Sequence, residues 1–195
     1  VELFSKLSFL KKKNFYLAGG TALALQLGHR TSLDFDFYSK THFNSSDIIK
    51  EIEKVFGNEA KITVLEKETI FCQIYGVDLS FFWYKYSLLK NPSEEKGILL
   101  ASIEDIVAMK LIAVIQRPAK RDYIDIFFLL NKLSLKEMFV LAKKKYPNFN
   151  EYLCLRALSF FDDLGEEDKR KITVLDKDFS WERAKTKIFQ EVKNY

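Results

Sequence analysis

The sequence predicts an α+β fold, with a mixed α/β domain over about residues 1–90 followed by a helical domain over 91–195. Short apolar or alternating runs dominate the first part, which is typical of strands joined by tight turns. After residue 92 the pattern changes to Ser-x-x-acidic starts followed by longer segments of helical periodicity. With 7 glycines and 3 prolines among 195 residues, we expect most of the chain to form regular structure.

The α/β domain is predicted to mix strands and helices before it ends in consecutive strands. Strict alternation of apolar and polar residues over 32–38 indicates a strand, and an apolar face at helical spacing over 45–56 indicates a helix. Gly28 is expected as a C-cap and Gly76 as part of a tight turn. The predicted elements are a helix over 4–10, a strand over 15–18, helices over 21–27 and 45–56, the second capped by Ser45 or Ser46, and strands over 32–38, 61–66, 70–75 and 77–84.

In the helical domain, caps and breakers set the predicted boundaries. One helix is expected from Ser102 to 116, ending before Pro118, and another over 121–132. Ser134 begins a Ser-Leu-Lys-Glu capping box that predicts the start of a third. The rest of the chain is expected to be helical, with Ser180 capping the last helix.

The bulk composition is that of a soluble globular protein, with 48% hydrophobic and 30% charged residues. The net charge of +4 permits a polyanionic partner but does not demand one, because solvated lysine-rich surfaces are common. Cys72 and Cys154 each lie in an apolar segment, so we expect buried thiols and a cytoplasmic protein. No apolar run approaches about 18 residues, and residues 1–13 lack the apolar core of a signal peptide, so no membrane span is expected.

Asp34-Phe35-Asp36 is the first candidate for a catalytic element. On a strand, residues two apart point to the same face, with Cβ atoms roughly 6–7 Å apart. Two Mg²⁺ ions, which lie about 3.5–4 Å apart in such sites and bind carboxylate and phosphate oxygens, would remove the repulsion between the carboxylates. The D-x-D pattern alone also fits the solvent-exposed face of an edge strand.

Gly19-Gly20-Thr21 lies at the predicted strand-to-helix turn. Backbone N–H groups and the positive end of a helix make such a turn a phosphate site, and glycine lets the phosphate approach closely. The pattern also fits a simple tight turn, and it lacks the lysine of a P-loop. Thirteen residues separate Gly20 from Asp34, enough for a helix of about two to three turns and a return that brings the two motifs together.

Together these motifs resemble the nucleotidyltransferase superfamily that includes polymerase beta, in which a glycine pair precedes Asp-hydrophobic-[Asp/Glu]-hydrophobic. More narrowly, the sequence segments GGTAL, GHR-x-S and DFDFY resemble those of the AbiE/AbiG-type toxin nucleotidyltransferases of bacterial toxin–antitoxin and phage-defence systems. Lys110 and the stretch Arg121-Asp122-Tyr123-Ile124-Asp125 are similar to later motifs of that family. The resemblance covers about residues 15–130 and implies a polymerase-beta-like domain with a mixed sheet, whose active-site cleft a helical domain completes.

The resemblance implies a set of metal and phosphate ligands. Two Mg²⁺ ions would be held by Asp34 and Asp36 together with a third carboxylate on a neighbouring strand, for which Asp78 is the candidate. An Asp directly after Gly76 also fits a turn end. The residues expected to contact the nucleotide are Gly19, Gly20, Thr21, Arg30 and Lys110.

For the second half of the site the sequence leaves alternatives open. The resemblance implies that Lys110 reaches the triphosphate, although a lysine in such an apolar helix also fits one that extends to solvent. An acidic residue in the 121–125 motif is needed for activity in the related toxins. We assign that role to Asp122, with Asp125 as the alternative, while either also fits a salt bridge or helix N-terminal charge. Arg30 equally fits a structural helix-end arginine, and His29 is given no role.

The predicted reaction transfers a nucleoside monophosphate from an NTP to an acceptor hydroxyl and releases pyrophosphate. RNA, tRNA included, is the expected acceptor, with basic stretches 117–121 and 143–145 as candidate contacts, although each also fits solvated helix surface. The resemblance further implies a cognate antitoxin protein. Three alternatives remain: a nucleotidyltransferase that modifies a small molecule, a catalytically silent RNA- or protein-binding relative, and a metal-dependent nuclease that uses the same carboxylates.

Overall fold

The computed structural model describes residues 2–161, 164 and 172–195. The chain separates into two compact units. One contains Val1–Ala22 and Leu33–Ser102, and the other contains Leu23–Ser32 and Ile103–Tyr195. These units are defined by contacts within the structure. That residues 1–90 and 91–195 are two domains with separate functions remains a prediction.

The first unit contains a mixed sheet that has seven strands within the described residues. The strands are ordered β3-β4-β5-β2-β1-β7-β6; β2 pairs in parallel with β5, β1 pairs in parallel with β7, and the other neighbours are antiparallel. The predicted α+β class with a mixed sheet is therefore confirmed. The elements are α1 (Glu2–Lys6), α2 (Phe9–Lys12), β1 (Tyr16–Ala18), the first residues of α3 (Gly19–Leu27), β2 (Phe35–Ser39), α4 (Ser45–Phe56), a 3-10 turn (Gly57–Glu59), β3 (Ala60–Glu66), β4 (Thr69–Ile74), β5 (Val77–Trp83), β6 (Ser93–Glu95) and β7 (Ile98–Leu100).

The two faces of this sheet differ because side chains alternate along each strand. One face is apolar and mostly buried, and α4 contacts the β3 and β4 strands. Its buried side chains include Leu17, Phe37, Ile70, Leu79, Phe81, Ile98 and Leu100. The opposite face carries Asp36 and Tyr38 from β2 and Asp78, Ser80 and Phe82 from β5. We call it the aspartate face.

Several boundaries in the first unit differ from the prediction. The helix expected over 4–10 is two short helices, and α3 begins at Gly19, two residues early. The strand β2 begins at Phe35, because its ladder with β5 starts with the Phe35–Leu79 pair and its ladder with β1 reaches only as far as Asp36. Asp34 therefore directly precedes the strand. Asn44, rather than a serine, caps α4, since its side-chain oxygen accepts a 2.9 Å hydrogen bond from a backbone N–H of the first turn.

Tight turns close two antiparallel pairs of the sheet. Tyr75 and Gly76 join β4 to β5 with φ values of 51° and 76°, as the two-residue hairpin turn requires, and the turn predicted at Gly76 is confirmed. Lys96 and Gly97 do the same between β6 and β7, a hairpin that the sequence analysis missed. A Cβ at Gly97 would lie 2.9 Å from the Ser8 Cβ, so this turn requires glycine for space as well as for backbone freedom.

The second unit is helical within its described residues. Alongside the remainder of α3 it contains α5 (Ile103–Gln116), α6 (Lys120–Leu129), α7 (Leu135–Lys145), α8 (Glu151–Ser159) and α9 (Trp181–Lys193). The helix α5 contacts α6, α7 and α8, and α9 contacts α6 and α8. The capping box at Ser134 and the cap at Ser180 are confirmed, while α6 ends three residues earlier than expected. The helical prediction for 162–163 and 165–171 lies outside the described residues.

A buried ion pair joins α7 to α5. The Lys145 Nζ lies 2.7 Å from the Asp105 Oδ1, and both side chains have 0% exposure. Lys145 is thus not a surface residue, so the idea that 143–145 form a continuous basic surface is wrong at this position. Its neighbour Lys144 is exposed, and Lys143 pairs with Glu151 at 2.7 Å. Across the described part of the chain, no helix combines the length and apolar character needed to cross a membrane.

Replacing Lys145 with alanine should lower the free energy of unfolding by about 3–5 kcal/mol, because Asp105 would keep its buried charge without this partner. Lys144→Ala is the matched control and should change it by less than about 0.5 kcal/mol. Urea unfolding followed by circular dichroism measures both. Equal, small losses in the two variants would contradict a structural role for the ion pair.

Candidate active site

Asp36 lies where three strands meet on the aspartate face. It is opposite Ala18 in the antiparallel β1–β2 ladder and beside Ser80 in the parallel β2–β5 ladder. Gly19, the next residue after Ala18, has φ of +69°, and a Cβ built on it would lie 3.0 Å from the Asp36 Oδ2. The carboxylate therefore lies directly against the backbone of the β1–α3 turn, and both the backbone conformation and this close approach require glycine.

The first turn of α3 is tied to the loop before β2. Thr21 is 5% exposed, and its hydroxyl donates a hydrogen bond to the backbone carbonyl of Asp34. Thr21 was expected to contact the nucleotide, with the Gly20 N–H or the Thr21 hydroxyl at the phosphate, and the structure shows this hydroxyl holding the loop that carries the first aspartate. At the N-terminus of this nine-residue helix, the backbone N–H groups of the glycine turn provide the positive end of the helix dipole beside Asp36.

Asp78 reaches the same region through the parallel pairing of β5 with β2. Phe35 pairs with Leu79, so Asp34 and Asp78 each stand one residue before a paired position, at the N-terminal ends of adjacent strands. The Asp78 side chain is exposed, and its Oδ1 accepts a 3.1 Å hydrogen bond from the Gln73 Nε2 on β4. The register thus brings Asp36 and Asp78 to one end of the aspartate face, with Asp34 directly before β2.

The second unit holds a buried ionic cluster centred on Asp125. The Arg30 guanidinium binds its carboxylate in a bidentate manner, Nε to Oδ1 at 2.6 Å and Nη2 to Oδ2 at 2.9 Å. The His29 Nε2 lies 2.7 Å from the same Oδ1. The Lys110 Nζ bridges Asp125 and Asp122, at 2.6 Å from each carboxylate. All five side chains are nearly inaccessible, and Asp125 has 0% exposure.

The charges in this cluster hold each other in the ionised form. Burial alone would raise the pKa of Asp125, but the Lys110 ammonium, with hydrogen bonds from Arg30 and His29, holds that pKa well below its ordinary value of 3.8. Burial alone would lower the pKa of Lys110, but the two carboxylates outweigh it and hold that pKa above 10.5. At neutral pH Asp125 and Lys110 are therefore both charged and paired with each other.

The two candidate aspartates of the 121–125 motif have different surroundings. Asp125 has both oxygens engaged, one with His29 and Arg30, the other with Arg30 and Lys110. Asp122 binds Lys110 through Oδ1, whereas its Oδ2 has no hydrogen-bond partner among the described residues. Asp125 is thus fully occupied as a structural centre, and Asp122 has the oxygen that remains available.

The sequence analysis missed His29 and the central position of Asp125. His29 is 4% exposed and its ring lies 5.0 Å from that of Phe128. Arg30 was expected at a phosphate; it is engaged with Asp125 and donates its Nη1 to the Thr31 carbonyl at 2.9 Å. The three-residue spacing of the two aspartates indicated a shared helix face, but nothing local indicates a partner more than 90 positions away.

The arrangement predicts unequal stability losses for two conservative changes. Asp125→Asn should lower the free energy of unfolding by about 3–5 kcal/mol, because it leaves Arg30 and Lys110 buried with a single carboxylate between them. Asp122→Asn should cost less, about 1–3 kcal/mol, since Lys110 keeps Asp125. Urea unfolding at neutral pH measures both, and a larger loss for Asp122→Asn would contradict this ranking.

The same pair gives a pH test. The pKa of Asp125 is lower in the folded protein than its ordinary 3.8, so its stabilising contribution is complete above that pH. The contribution is lost as the pH falls through the lower, folded value. The stability difference between wild type and Asp125→Asn should therefore be constant near neutral pH and shrink only below about pH 4.

The family whose sequence profile matches the chain is described as nucleotidyl transferase AbiEii toxin, Type IV TA system, and the match covers residues 3–74 and 75–193. A relative from Aquifex aeolicus (strain VF5), the uncharacterized protein aq_aa25, is 37% identical over 188 residues, which cover 93% of this chain and 88% of the relative.

Two solved structures are similar over almost the whole chain. JHP933 from Helicobacter pylori has a TM-score of 0.59 at 17% identity, covering 97% of this chain and 87% of that one. MenT4, a nucleotidyltransferase toxin from Mycobacterium tuberculosis H37Rv, has a TM-score of 0.61 at 13% identity, covering 100% of this chain and 82% of that one. At these identities the likeness shows the fold. The profile match and the 37% identical relative show more: this chain belongs to the AbiEii nucleotidyl transferase toxin family.

Proposed function

We propose that the protein is a Mg²⁺-dependent nucleotidyltransferase toxin that transfers a nucleoside monophosphate from an NTP to a hydroxyl of an RNA acceptor, tRNA included. The observation that carries this proposal is the position of Asp36 against the Gly19 backbone, with 3.0 Å between the Asp36 Oδ2 and a Cβ built on the glycine. A metal-binding carboxylate and a backbone phosphate cradle are the two parts that phosphoryl transfer needs side by side.

The glycine turn is the proposed binding site of the triphosphate. Gly20 and Thr21 lie in the first turn of α3, where N–H groups and the helix dipole favour negative charge. Thr21 also keeps the Asp34 loop in place through its hydroxyl, so its proposed contact with phosphate is made by its backbone N–H. A substrate held there has its phosphates beside Asp36.

The carboxylates fit Mg²⁺, which prefers oxygen ligands. Asp34, Asp36 and Asp78 are the residues proposed to hold two ions. Among the described residues no three acidic, His or Cys side chains converge on a ready cage. Mg²⁺ is usually bound by one or two carboxylates together with water and substrate phosphates. The carboxylates of Asp34, Asp36 and Asp78 would supply the protein ligands of such a site. When bound, Mg²⁺ supplies charge neutralisation on the phosphates and a lower pKa for the acceptor hydroxyl.

In the proposed reaction the acceptor oxygen attacks the α-phosphorus of the NTP. A new P–O bond forms, the bond to the oxygen that bridges the α- and β-phosphates breaks, and pyrophosphate leaves with the electron pair. Asp78, which is exposed at the end of β5, is proposed to accept the hydroxyl proton. Asp36 and the glycine turn orient the α-phosphate for this attack.

The predicted roles of Lys110 and Asp122 extend the proposal to the second unit. Lys110 carries a charge stabilised by two carboxylates, and the Asp122 Oδ2 has no hydrogen-bond partner in the described part of the chain. We propose that Lys110 offsets phosphate charge and that Asp122, rather than Asp125, is the acidic residue required for activity. Asp125 acts as a positioning residue, because its oxygens hold Arg30 and Lys110.

Membership of a toxin family supports a cognate antitoxin as partner, and RNA as acceptor accords with the net charge of +4. The similarity to MenT4, a nucleotidyltransferase toxin, points the same way. With Lys145 buried, the basic contacts proposed for RNA are reduced to 117–121 and the exposed Lys143 and Lys144.

Purified protein incubated with Mg²⁺, each labelled NTP in turn and total tRNA should transfer label to RNA. Asp36→Asn should lower the rate by at least about a hundredfold, because a positioned charge at the reacting centre is lost. Asp47→Asn is the matched control, an exposed aspartate on α4 of the same unit, and should retain the wild-type rate. Mg·NTP binding without transfer to RNA would indicate a different acceptor, and neither binding nor transfer by the wild type would contradict the enzyme proposal.

Comparing Gly19→Ala with Gly76→Ala separates the effect of backbone strain from the effect of the contact with Asp36. Gly19 and Gly76 both have positive φ, +69° and +76°, but only a Cβ at Gly19 meets another atom within 4 Å. Both alanine variants should lose about 1–2 kcal/mol of unfolding free energy. Only Gly19→Ala should also slow NMP transfer, since its methyl group displaces Asp36. Equal transfer rates in the two variants would show that the close approach is not needed for activity.

A further inference from the structure

Four aromatic rings form a continuous patch on the aspartate face. Tyr38 on β2 and Phe82 on β5 have ring centroids 5.5 Å apart, and Phe82 lies 5.5 Å from Phe71 on β4. Tyr84, directly after β5, lies 5.3 Å from Tyr38. We call these four residues the aromatic platform.

The platform is distinct from the core of the sheet. Phe37 and Phe81, one residue away on the opposite face, are 0% exposed and stack on each other at 5.3 Å. The platform rings are all only half-buried. Four adjacent rings that each keep part of their surface accessible form an apolar patch, and patches of this kind mark binding surfaces.

The chain around Tyr38 and around Phe82 and Tyr84 is basic, whereas Glu66 and Glu68 flank Lys67 just before the strand that carries Phe71. Residues 38–46 contain one lysine, one histidine and no acidic residue, and residues 81–90 contain two lysines and no acidic residue. Lys40 and Lys85 are exposed, and the Lys85 Nζ lies 5.2 Å from the centre of the Tyr86 ring. The carboxylate of Glu68, in the turn before β4, is hydrogen-bonded to the ring of His42 in the first of these segments. Aromatic rings flanked by lysines complement the bases and phosphates of a single-stranded nucleic acid.

The platform and the carboxylates lie at different positions along the same two strands. Asp36 and Asp78 lie at the N-terminal ends of β2 and β5, and Tyr38 and Phe82 lie further toward the C-terminal ends. Because β1 runs antiparallel to β2, the Gly19 turn is at the carboxylate end. The glycine turn therefore lies level with the carboxylates on the neighbouring strand, and the platform lies further along β2 and β5. A triphosphate held at the glycine turn leaves the platform for the other reactant, the acceptor.

We propose that the aromatic platform binds the unpaired bases at the 3′ end of the acceptor RNA by stacking, with Lys40 and Lys85 at the backbone phosphates. This inference rests on the proposed nucleotidyl transfer and adds to it the subsite for the acceptor. Stacking on a π-face tolerates any base, so the platform positions the terminal hydroxyl without selecting the sequence.

The test uses a fluorescein-labelled single-stranded oligoribonucleotide with a free 3′-hydroxyl. Its Kd is measured by fluorescence anisotropy with Mg²⁺, and Mg·NTP binding is measured separately by calorimetry. Phe82→Leu and Tyr84→Leu keep apolar volume but remove a ring, and each should raise the Kd for the oligonucleotide by about tenfold. Mg·NTP affinity should stay unchanged. The control Tyr152→Leu alters a tyrosine that is 71% exposed on α8 and should change neither.

Lys85→Gln is a second kind of variant. Because the Lys85 side chain is exposed, the substitution removes its charge without removing buried packing that the fold needs. It should reduce the dependence of log Kd on log salt concentration by about 0.7, the contribution of one phosphate contact on a single strand. Unchanged oligonucleotide affinity in both leucine variants would overturn the proposal. Loss of Mg·NTP affinity in place of oligonucleotide affinity would also overturn it, and would assign the rings to the base of the NTP.

The outcomes separate this inference from the proposed reaction. Ring-dependent oligonucleotide binding without NMP transfer would refute the activity and leave the platform as an RNA site. Transfer that is lost in Asp36→Asn but unaffected, along with RNA affinity, in Phe82→Leu would support the activity and refute the platform.

Discussion

The position of β2 between β1 and β5 is the constraint on which the candidate site depends. Antiparallel pairing with β1 puts Asp36 opposite Ala18, so that its carboxylate meets the backbone of Gly19 directly. Parallel pairing with β5 puts Asp78 level with Asp34. A slip of one residue in either ladder would turn these carboxylates to the apolar face of the sheet, where they would be buried without partners. The register is therefore fixed by the core as much as by the site.

In the second unit a different constraint operates, because several charges are buried there together. Removing Asp125, Arg30 and Lys110 from water is costly, and the cost is offset only because each finds an oppositely charged partner at 2.6–2.9 Å. Such a cluster fixes one geometry, since any displacement leaves a buried charge unpaired. It joins Arg30, which follows α3, to Asp125 on α6, 95 positions later in the sequence. The cluster therefore holds the end of the α3 segment against α6. The cluster orients Lys110. It engages both oxygens of Asp125 but leaves the Asp122 Oδ2 without a hydrogen-bond partner among the described residues.

The alternation of side chains along the strands gives the sheet of the first unit two unlike faces. Phe37 and Phe81 belong to the core, while their neighbours Asp36, Tyr38 and Phe82 share the aspartate face. Carboxylates at one end of that face and half-buried rings at the other are consistent with a surface that handles phosphates and bases.

The sequence by itself determined the local elements: the alternation that makes β2, the capping box at Ser134, and the glycine turn beside the aspartate pair. These follow from neighbouring residues, since backbone preference, side-chain periodicity and capping act over a few positions. The tertiary structure decided the rest, namely the contact of Asp36 with Gly19, the engagement of Arg30 by Asp125, and the burial of Lys145 in an apparently basic stretch. These depend on partners from 17 to 95 positions away, and which charges meet is set by how strands and helices pack, which no local pattern encodes.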